Sequence, residues 1–410
     1  MAKSNPSLGG SISSPKQGHR LAIVVSHPIQ YYSPWFRFLA ENLTASLKVF
    51  YLWDFGISDQ TDPDFGRNIK WDLDLLSDYE NEFVPNESPR PGTDHFNGLR
   101  NPELVPRLQK WSPTAILVFG YGWHSLLTLA FKWRSCPLIL RGDNHDLGRD
   151  NLPRLREGFR KFALKYLFRQ YAAFAAVGKV NREFYRRHGV ASEKIFHVPH
   201  AIDNDRFSIS SSLQQQAWRK KVNLSESDVV FLFAGKLEPK KQPLFLGSAF
   251  NKAKIPHTSL VFVGDGVQSE EVDKLCSIHS NIHRLGFQNQ TQMPTVLGAV
   301  DCVILPSLGP GETWGLIVNE ALACGTPAIV SSHVGCAGDL VKPDITGWIF
   351  PAGNESALIE LLRNASRKLV RRREQFKSAT QAHVNSYNYS AATQGLQTLL
   401  DRMIHPRQSD

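Results

Sequence analysis

Short apolar runs recur along this chain, each closed by a polar or glycine-bearing turn, and they read as buried strands of parallel sheets. Leu21–Val25 is followed by the polar-aromatic turn Ser26-His27-Pro28-Ile29-Gln30-Tyr31, a helix over about 34–41, and a second run at Leu47–Leu52. That β-α-β opening predicts a Rossmann-like domain. Runs at Ala115–Phe119, Leu138–Leu140 and Ala173–Val177 continue it. Residues 54–100, rich in Asp, Pro, Asn and Gly, predict a long irregular surface excursion that touches substrate. A second series, Val229–Ala234, Ser259–Val263, Cys302–Leu305 and Ala328–Ser331, predicts another α/β domain, with the Ser- and Gln-rich residues 209–220 at the boundary. The expected division is a disordered tail over 1–18, a first domain over 19–208, a second over 209–388 and a C-terminal helix within 389–410.

The most informative segment is Gly309-Pro-Gly-Glu312-Thr313-Trp314-Gly315-Leu316-Ile-Val-Asn-Glu320. Glycines precede the glutamate pair and helix formers follow it, so a backbone cradle runs into a helix N-terminus, which attracts phosphate. Gly325 and Pro327 end that helix. Glu312 then lies in the loop above the helix and Glu320 about one turn inside it. Ionised carboxylates only accept hydrogen bonds, and two at different levels suit a ligand rich in hydroxyls. Upstream, Gly235-Lys236 through Lys241 closes one strand and Gly264-Asp265-Gly266 another, which puts backbone amides where an open α/β sheet binds its ligand.

At 410 residues, 42% hydrophobic and 10% aromatic, the chain can bury two substantial cores. Its five cysteines form no C-x-x-C pair and two of them, Cys302 and Cys324, lie in apolar runs, a reduced pattern that predicts a cytoplasmic location. The first ~18 residues lack the apolar stretch of a signal peptide, and every apolar run is far shorter than a membrane span. Charge is concentrated: residues 154–187 hold ten Lys or Arg against two Glu, an excess of eight within a net charge of +9. There Leu155, Phe159, Phe162 and Tyr166 follow helical spacing beside a stripe of Lys161, Lys165 and Arg169. Two readings fit: a helix that lies on an anionic bilayer or steers a phosphorylated acceptor, or a core helix with a solvated basic face. No nucleic-acid-binding module accompanies the charge.

The order strand-Gly-Lys, strand-Gly-Asp-Gly, Leu285-Gly286-Phe287, strand-Pro306-Ser307 and the glutamate pair resembles the C-terminal half of glycosyltransferase family 4, retaining enzymes of the GT-B fold. The resemblance is dense from about Val229 to Pro351. It implies two Rossmann-like domains facing across a cleft, with the C-terminal helix, about Ala391–Met403, crossing back onto the first. It also implies a nucleotide-sugar donor held by Gly235, Lys236, Lys241, Gly264, Gly286, Thr313, Trp314, Gly315, Leu316 and Glu320. Lys241 and Glu312 would serve the chemistry, as would His124, which follows a strand where related enzymes carry a histidine near the donor sugar. The family usually has Arg at position 236 and Gly at 242; this chain has Lys236 and Gln242, and Ala201 replaces a glycine in the linker motif. A glycan or lipid-linked acceptor would meet His27, Gln30, Tyr31, Arg141 and Asp143. No cofactor and no metal is expected.

Asp72-Leu-Asp74 has the Asp-x-Asp pattern of a metal-dependent GT-A transferase, but no apolar strand leads into it. Arg141-Gly-Asp143-Asn-His145-Asp146 offers oxygen and imidazole ligands. A sugar-nucleotide epimerase would share fold and donor but use no acceptor. A non-enzymatic sugar- or lipid-binding scaffold would have no need of Lys241 opposite a leaving group.

Overall fold

The computed structural model describes residues 18–57, 61–62, 67–68, 71–149 and 153–404. Nearly all of the expected tail, residues 1–17, lies outside them. The first sheet comprises β1 (Arg20–Val25), β2 (Ser46–Tyr51), β3 (Glu80–Phe83), β4 (Ala115–Phe119), β5 (Leu138–Gly142), β6 (Ala173–Ala176) and β7 (Ile195–His197). Their order is β3-β2-β1-β4-β5-β6-β7, and every neighbouring pair is parallel. The second comprises β8 (Val229–Ala234), β9 (Thr258–Val263), β10 (Ile282–Leu285), β11 (Cys302–Leu305), β12 (Ala328–Ser331) and β13 (Gly347–Phe350), in the order β10-β9-β8-β11-β12-β13, again all parallel. Strands such as β8, with Val230, Phe231, Leu232 and Phe233 wholly buried, are covered on both faces, which is why their sequence is unbroken apolar text rather than an alternation.

Strand order reverses between β1 and β4 in the first sheet and between β8 and β11 in the second. Crevices form at such switch points, outside the carboxyl ends of the strands. The two crevices face each other, giving the expected doubly wound α/β architecture. The C-terminal helix Tyr389–Ile404 returns to the first domain, where Ala392, Leu396, Leu399 and Leu400 join Leu21, Ile23 and Leu117 in one apolar cluster. Its fit is close: a Cβ on Gly395 would lie 2.2 Å from the carbonyl oxygen of His197, so glycine is required there.

One sequence-based expectation needs correction. The excursion over 54–100 is not wholly irregular, because it supplies β3 at the edge of the first sheet and a short antiparallel pair, Thr61–Asp62 with Arg67–Asn68. Glu80-Asn81-Glu82-Phe83 carries no strand pattern; ion pairs from Lys48 to Glu80 (3.1 Å) and Glu82 (2.9 Å) accompany it at the edge. The boundary stretch 209–220 is largely the helix Ser212–Lys221, opened by a capping box in which the Ser211 hydroxyl accepts from the Gln214 amide at 3.3 Å.

Candidate active site

A cavity of about 460 Å³ lies between the two crevices. The turn after β1 brings His27, Gln30 and Tyr31 to one side. On the other, the turn after β8 brings Gly235, Lys236 and Lys241, the turn after β9 brings Gly264, and the loop after β11 brings Glu312 to Leu316 with Glu320 beneath. The helix Leu316–Ala323 aims its N-terminus into this space. Gly315 caps it at φ 96°, and a Cβ there would also lie 2.7 Å from Leu305.

Lys241 and Glu312 form an ion pair on the cavity wall. The Glu312 carboxylate also accepts from the Ser307 hydroxyl at 2.9 Å, while its backbone carbonyl accepts from Nε2 of His145 at 3.0 Å. Nδ1 of His145 accepts from the Leu147 amide, which fixes the tautomer. Glu320 is different. It is 1% exposed, one carboxylate oxygen has no hydrogen-bond partner, and burial pushes its pKa up to about 7 despite the opposing influence of Arg206 and the Tyr31 hydroxyl. A buried carboxylate with an unfilled acceptor is a vacancy for a donor group, and sugar hydroxyls are such groups.

On the first-domain side, burial pushes the pKa of His27 down to about 4, so the ring is neutral at physiological pH. Its edge-on contacts with Trp53 and Phe55, at 5.7 and 5.4 Å between centroids, form an aromatic wall. Trp71 and Phe287 meet across the domains at 6.0 Å. Asp143 accepts from the Thr313 hydroxyl at 2.7 Å, so the two domains are joined at the cavity itself. Trp314 is 2% exposed, donates its indole N–H to Asn319 and lies 5.3 Å from the His200 ring. Its side chain therefore packs the domain seam, leaving its backbone for the cradle.

Three expected residues do not join the cavity. His124 opens the helix His124–Lys132 with its ring against Phe96, just beyond the turn Gly120–Trp123, which lines an adjoining cavity with Tyr32, Asp143 and His200. Arg141 is 2% exposed and spends its guanidinium on the carbonyls of Val198 (2.7 Å) and Pro199 (3.2 Å), holding the linker between domains. Gly286 is passed over in favour of its neighbours Phe287 and Gln288. Tyr31 reaches the second domain, where its hydroxyl meets Glu320. Residues that the sequence reading did not single out take up places here: His200, from the linker Val198-Pro-His200, and Gln290 line the cavity, and Ser307 holds Glu312. Asp72 is engaged by Thr291 and Asp74 by the amides of Leu76 and Ser77, so neither points to a shared ion. Among the described residues no group of three or more side chains is arranged to hold a metal.

Residues 214–383 match the family model of glycosyl transferases group 1. A GDP-mannose-dependent monoacylated alpha-(1-6)-phosphatidylinositol monomannoside mannosyltransferase of Corynebacterium glutamicum is 27% identical over 258 residues, 61% of this chain and 65% of that protein. An uncharacterised glycosyltransferase of Methanocaldococcus jannaschii is 28% identical over 170 residues, 40% of this chain and 43% of that protein, so the chain spans between two fifths and two thirds of the length of these two relatives. Among solved structures, a glycosyltransferase from Rickettsia africae superimposes with a TM-score of 0.71 at 15% identity, covering 96% of this chain and all of that one. An Anabaena protein crystallised with UDP and glucose does so with a TM-score of 0.67 at 16% identity, covering 93% and 99%. The chain thus has the GT-B architecture throughout, and the stretch 214–383 within its second domain is similar to glycosyl transferases group 1.

Proposed function

We propose that this protein is a glycosyltransferase that moves a sugar from a nucleoside-diphosphate-sugar to a glycan, lipid-linked or small-molecule acceptor, with retention of anomeric configuration, in polysaccharide or glycoconjugate biosynthesis. The observation that carries the reading is the convergence of Lys241, Glu312, Glu320 and the helix N-terminus at Gly315 on one wall of the inter-domain cavity. Departure of a nucleoside diphosphate builds negative charge on its phosphates. Lys241 and the amides of the helix N-terminus supply positive potential at that point, in a cleft between two low-dielectric domains that strengthens it. Before donor arrives Lys241 is neutralised by Glu312, so an incoming diphosphate exchanges one anionic partner for another. Glu312 is then released to accept from hydroxyls of the transferred sugar while Ser307 holds its other contact. Glu320 receives the ribose hydroxyls.

In this reading the second domain, residues 209–388, holds the donor, and the first, residues 19–208, presents the acceptor from the aromatic wall around His27. The neutral His27 ring is suited to hydrogen bonding and stacking with a sugar, not to carrying charge. We further propose that no divalent metal is needed and that the protein works in the cytoplasm; no helix among the described residues is long and apolar enough to cross a membrane. Thermal stabilisation by UDP, GDP, ADP and their sugar conjugates tests the donor class directly. A matching ligand at ~100 times its dissociation constant adds about 2.7 kcal/mol. A flat response to every one of them overturns the reading, and conversion of the donor sugar in the absence of acceptor would move it to an epimerase.

A further inference from the structure

The helix Arg154–Phe168 has two apolar faces. One, formed by Leu164, Leu167 and Phe168, is at most 9% exposed and joins the core of the first domain. The other is turned the opposite way, since Leu155, Phe159, Phe162 and Tyr166 fall on one line at spacings of four, three and four residues. They are 89%, 75%, 71% and 53% exposed. Phe131, from the preceding helix His124–Lys132, stacks on Tyr166 at 5.6 Å and extends the stripe. A core-facing role for these residues is excluded, because the helix already has its core face. Five large apolar side chains side by side in water demand a partner.

The flank of the stripe defines that partner. Lys161, Lys165 and Arg169, one helical turn apart, run along one edge, with Lys132 and Arg134 beside Phe131, and all are exposed. Glu157, the one acidic residue of the helix, is bound at 3.3 Å by Arg160, which also holds Asp146 at 2.8 Å. Aromatic and aliphatic side chains that penetrate, bordered by cations that stay at the level of phosphates, match a bilayer surface with acidic lipids. We propose that the outward face of the helix Arg154–Phe168 docks the protein on an anionic membrane. The Arg160–Asp146 contact, on the other side of the helix, ties it to the loop that carries Asp143 into the cavity, so an acceptor embedded in the same bilayer would arrive on the first-domain side. Docking itself does not depend on the glycosyl-transfer reading.

The test uses the full chain with vesicles of phosphatidylglycerol and phosphatidylcholine against vesicles of phosphatidylcholine alone. The protein is expected to co-sediment with the acidic vesicles and to be released by salt. Phe159→Ser with Phe162→Ser, and separately Lys161→Gln with Lys165→Gln and Arg169→Gln, should each weaken binding by on the order of tenfold or more. All five positions are exposed, so melting should be unchanged, and a Phe159→Trp variant should shift its emission to the blue only with acidic vesicles. The proposal is overturned by equal binding of either multiple variant, by equal binding to neutral vesicles, or by no binding at all. It is also overturned if the serine variant splits a dimer while vesicle binding persists, which would assign the face to a second copy of this chain. None of these outcomes bears on donor binding, which is read separately with nucleotides in the absence of lipid.

Discussion

Replacing Glu320 by Gln should make the protein more stable and a poorer binder of its donor at the same time. Burial raises the folded-state pKa of Glu320 from the usual 4.5 to about 7. Between those values the folded protein holds a proton that the unfolded chain releases, so stability must fall as pH rises through the window. At 1.36 kcal/mol per unit, the difference of about 2.5 units amounts to roughly 3 kcal/mol, lost between about pH 4.5 and 7 and absent below it. Gln has nearly the same shape and never ionises. At pH 5 the two proteins should therefore unfold at nearly the same denaturant concentration or temperature, and at pH 8 the variant should be the more stable by up to ~3 kcal/mol, roughly 6–12 °C for a domain of this size.

The binding side has the opposite sign. An ionised carboxylate can accept from two ribose hydroxyls, and a protonated one has lost part of that capacity. Donor affinity of the wild type should weaken towards tenfold per pH unit below about pH 7, while the Gln variant should bind weakly with no such slope. Denaturation at the two pH values and calorimetric titration of nucleotide across the range measure both. A Gln variant with the wild-type dependence of stability on pH would refute the assignment of the buried charge to Glu320. A wild type whose donor affinity is flat from pH 5.5 to pH 8 would refute its ionised role in binding, both values being taken to bracket the pKa of about 7.

The remaining expectations are briefer. Lys241→Ala should lower turnover by on the order of a hundredfold or more, since it acts as leaving-group charge develops, whereas Glu320→Ala should mainly raise the donor Michaelis constant by roughly tenfold; steady-state kinetics showing the reverse would exchange their roles. Transfer should proceed in excess EDTA, because lysine and helix amides already face the diphosphate, and loss of activity restored by Mg or Mn would contradict this. Gln242 is held at φ 58°, so Gln242→Gly should be neutral or stabilising by up to about 1 kcal/mol and Gln242→Val should destabilise by more than that, as read by denaturant midpoints.

Gln242 also shows how much the sequence disclosed. The family resemblance raises glycine as the usual residue there, and the left-handed backbone supplies the physical reason; at Ala201, the other departure, φ is not positive and no strain follows. Most of the second-domain wall was legible because its parts are local: a glycine turn, a lysine five residues on, a helix with its cap and two glutamates eight apart. Strand identity was legible for the same reason, as in β8 and β9, where every position is apolar or buried. The edge strand β3 was not, because three of its four residues are polar and its place comes from pairing with β2.

The first-domain side of the cavity resisted reading because it is assembled at long range. Asp143 is fixed by Thr313, 170 residues away, and His145 by the carbonyl of Glu312, 167 residues away. No spacing rule spans such distances, so a histidine after a strand, His124, carried as much sequence signal as His200, which the linker delivers to the seam. Arg141 has the charge expected of a ligand residue; its two carbonyl contacts hold the linker, and it lines an adjoining cavity beside Asp143 and His200. The same contacts that hid the site have a functional consequence. On the proposed function Thr313 and Glu312 would form part of the donor cradle; each is held by a side chain from the opposite domain, so any opening of the cleft would have to release Asp143 from Thr313 and His145 from Glu312. Re-forming the two contacts would set the Glu312 carboxylate against Lys241 at the same time. On that reading first-domain residues would influence the geometry of the second-domain wall without touching a ligand bound there.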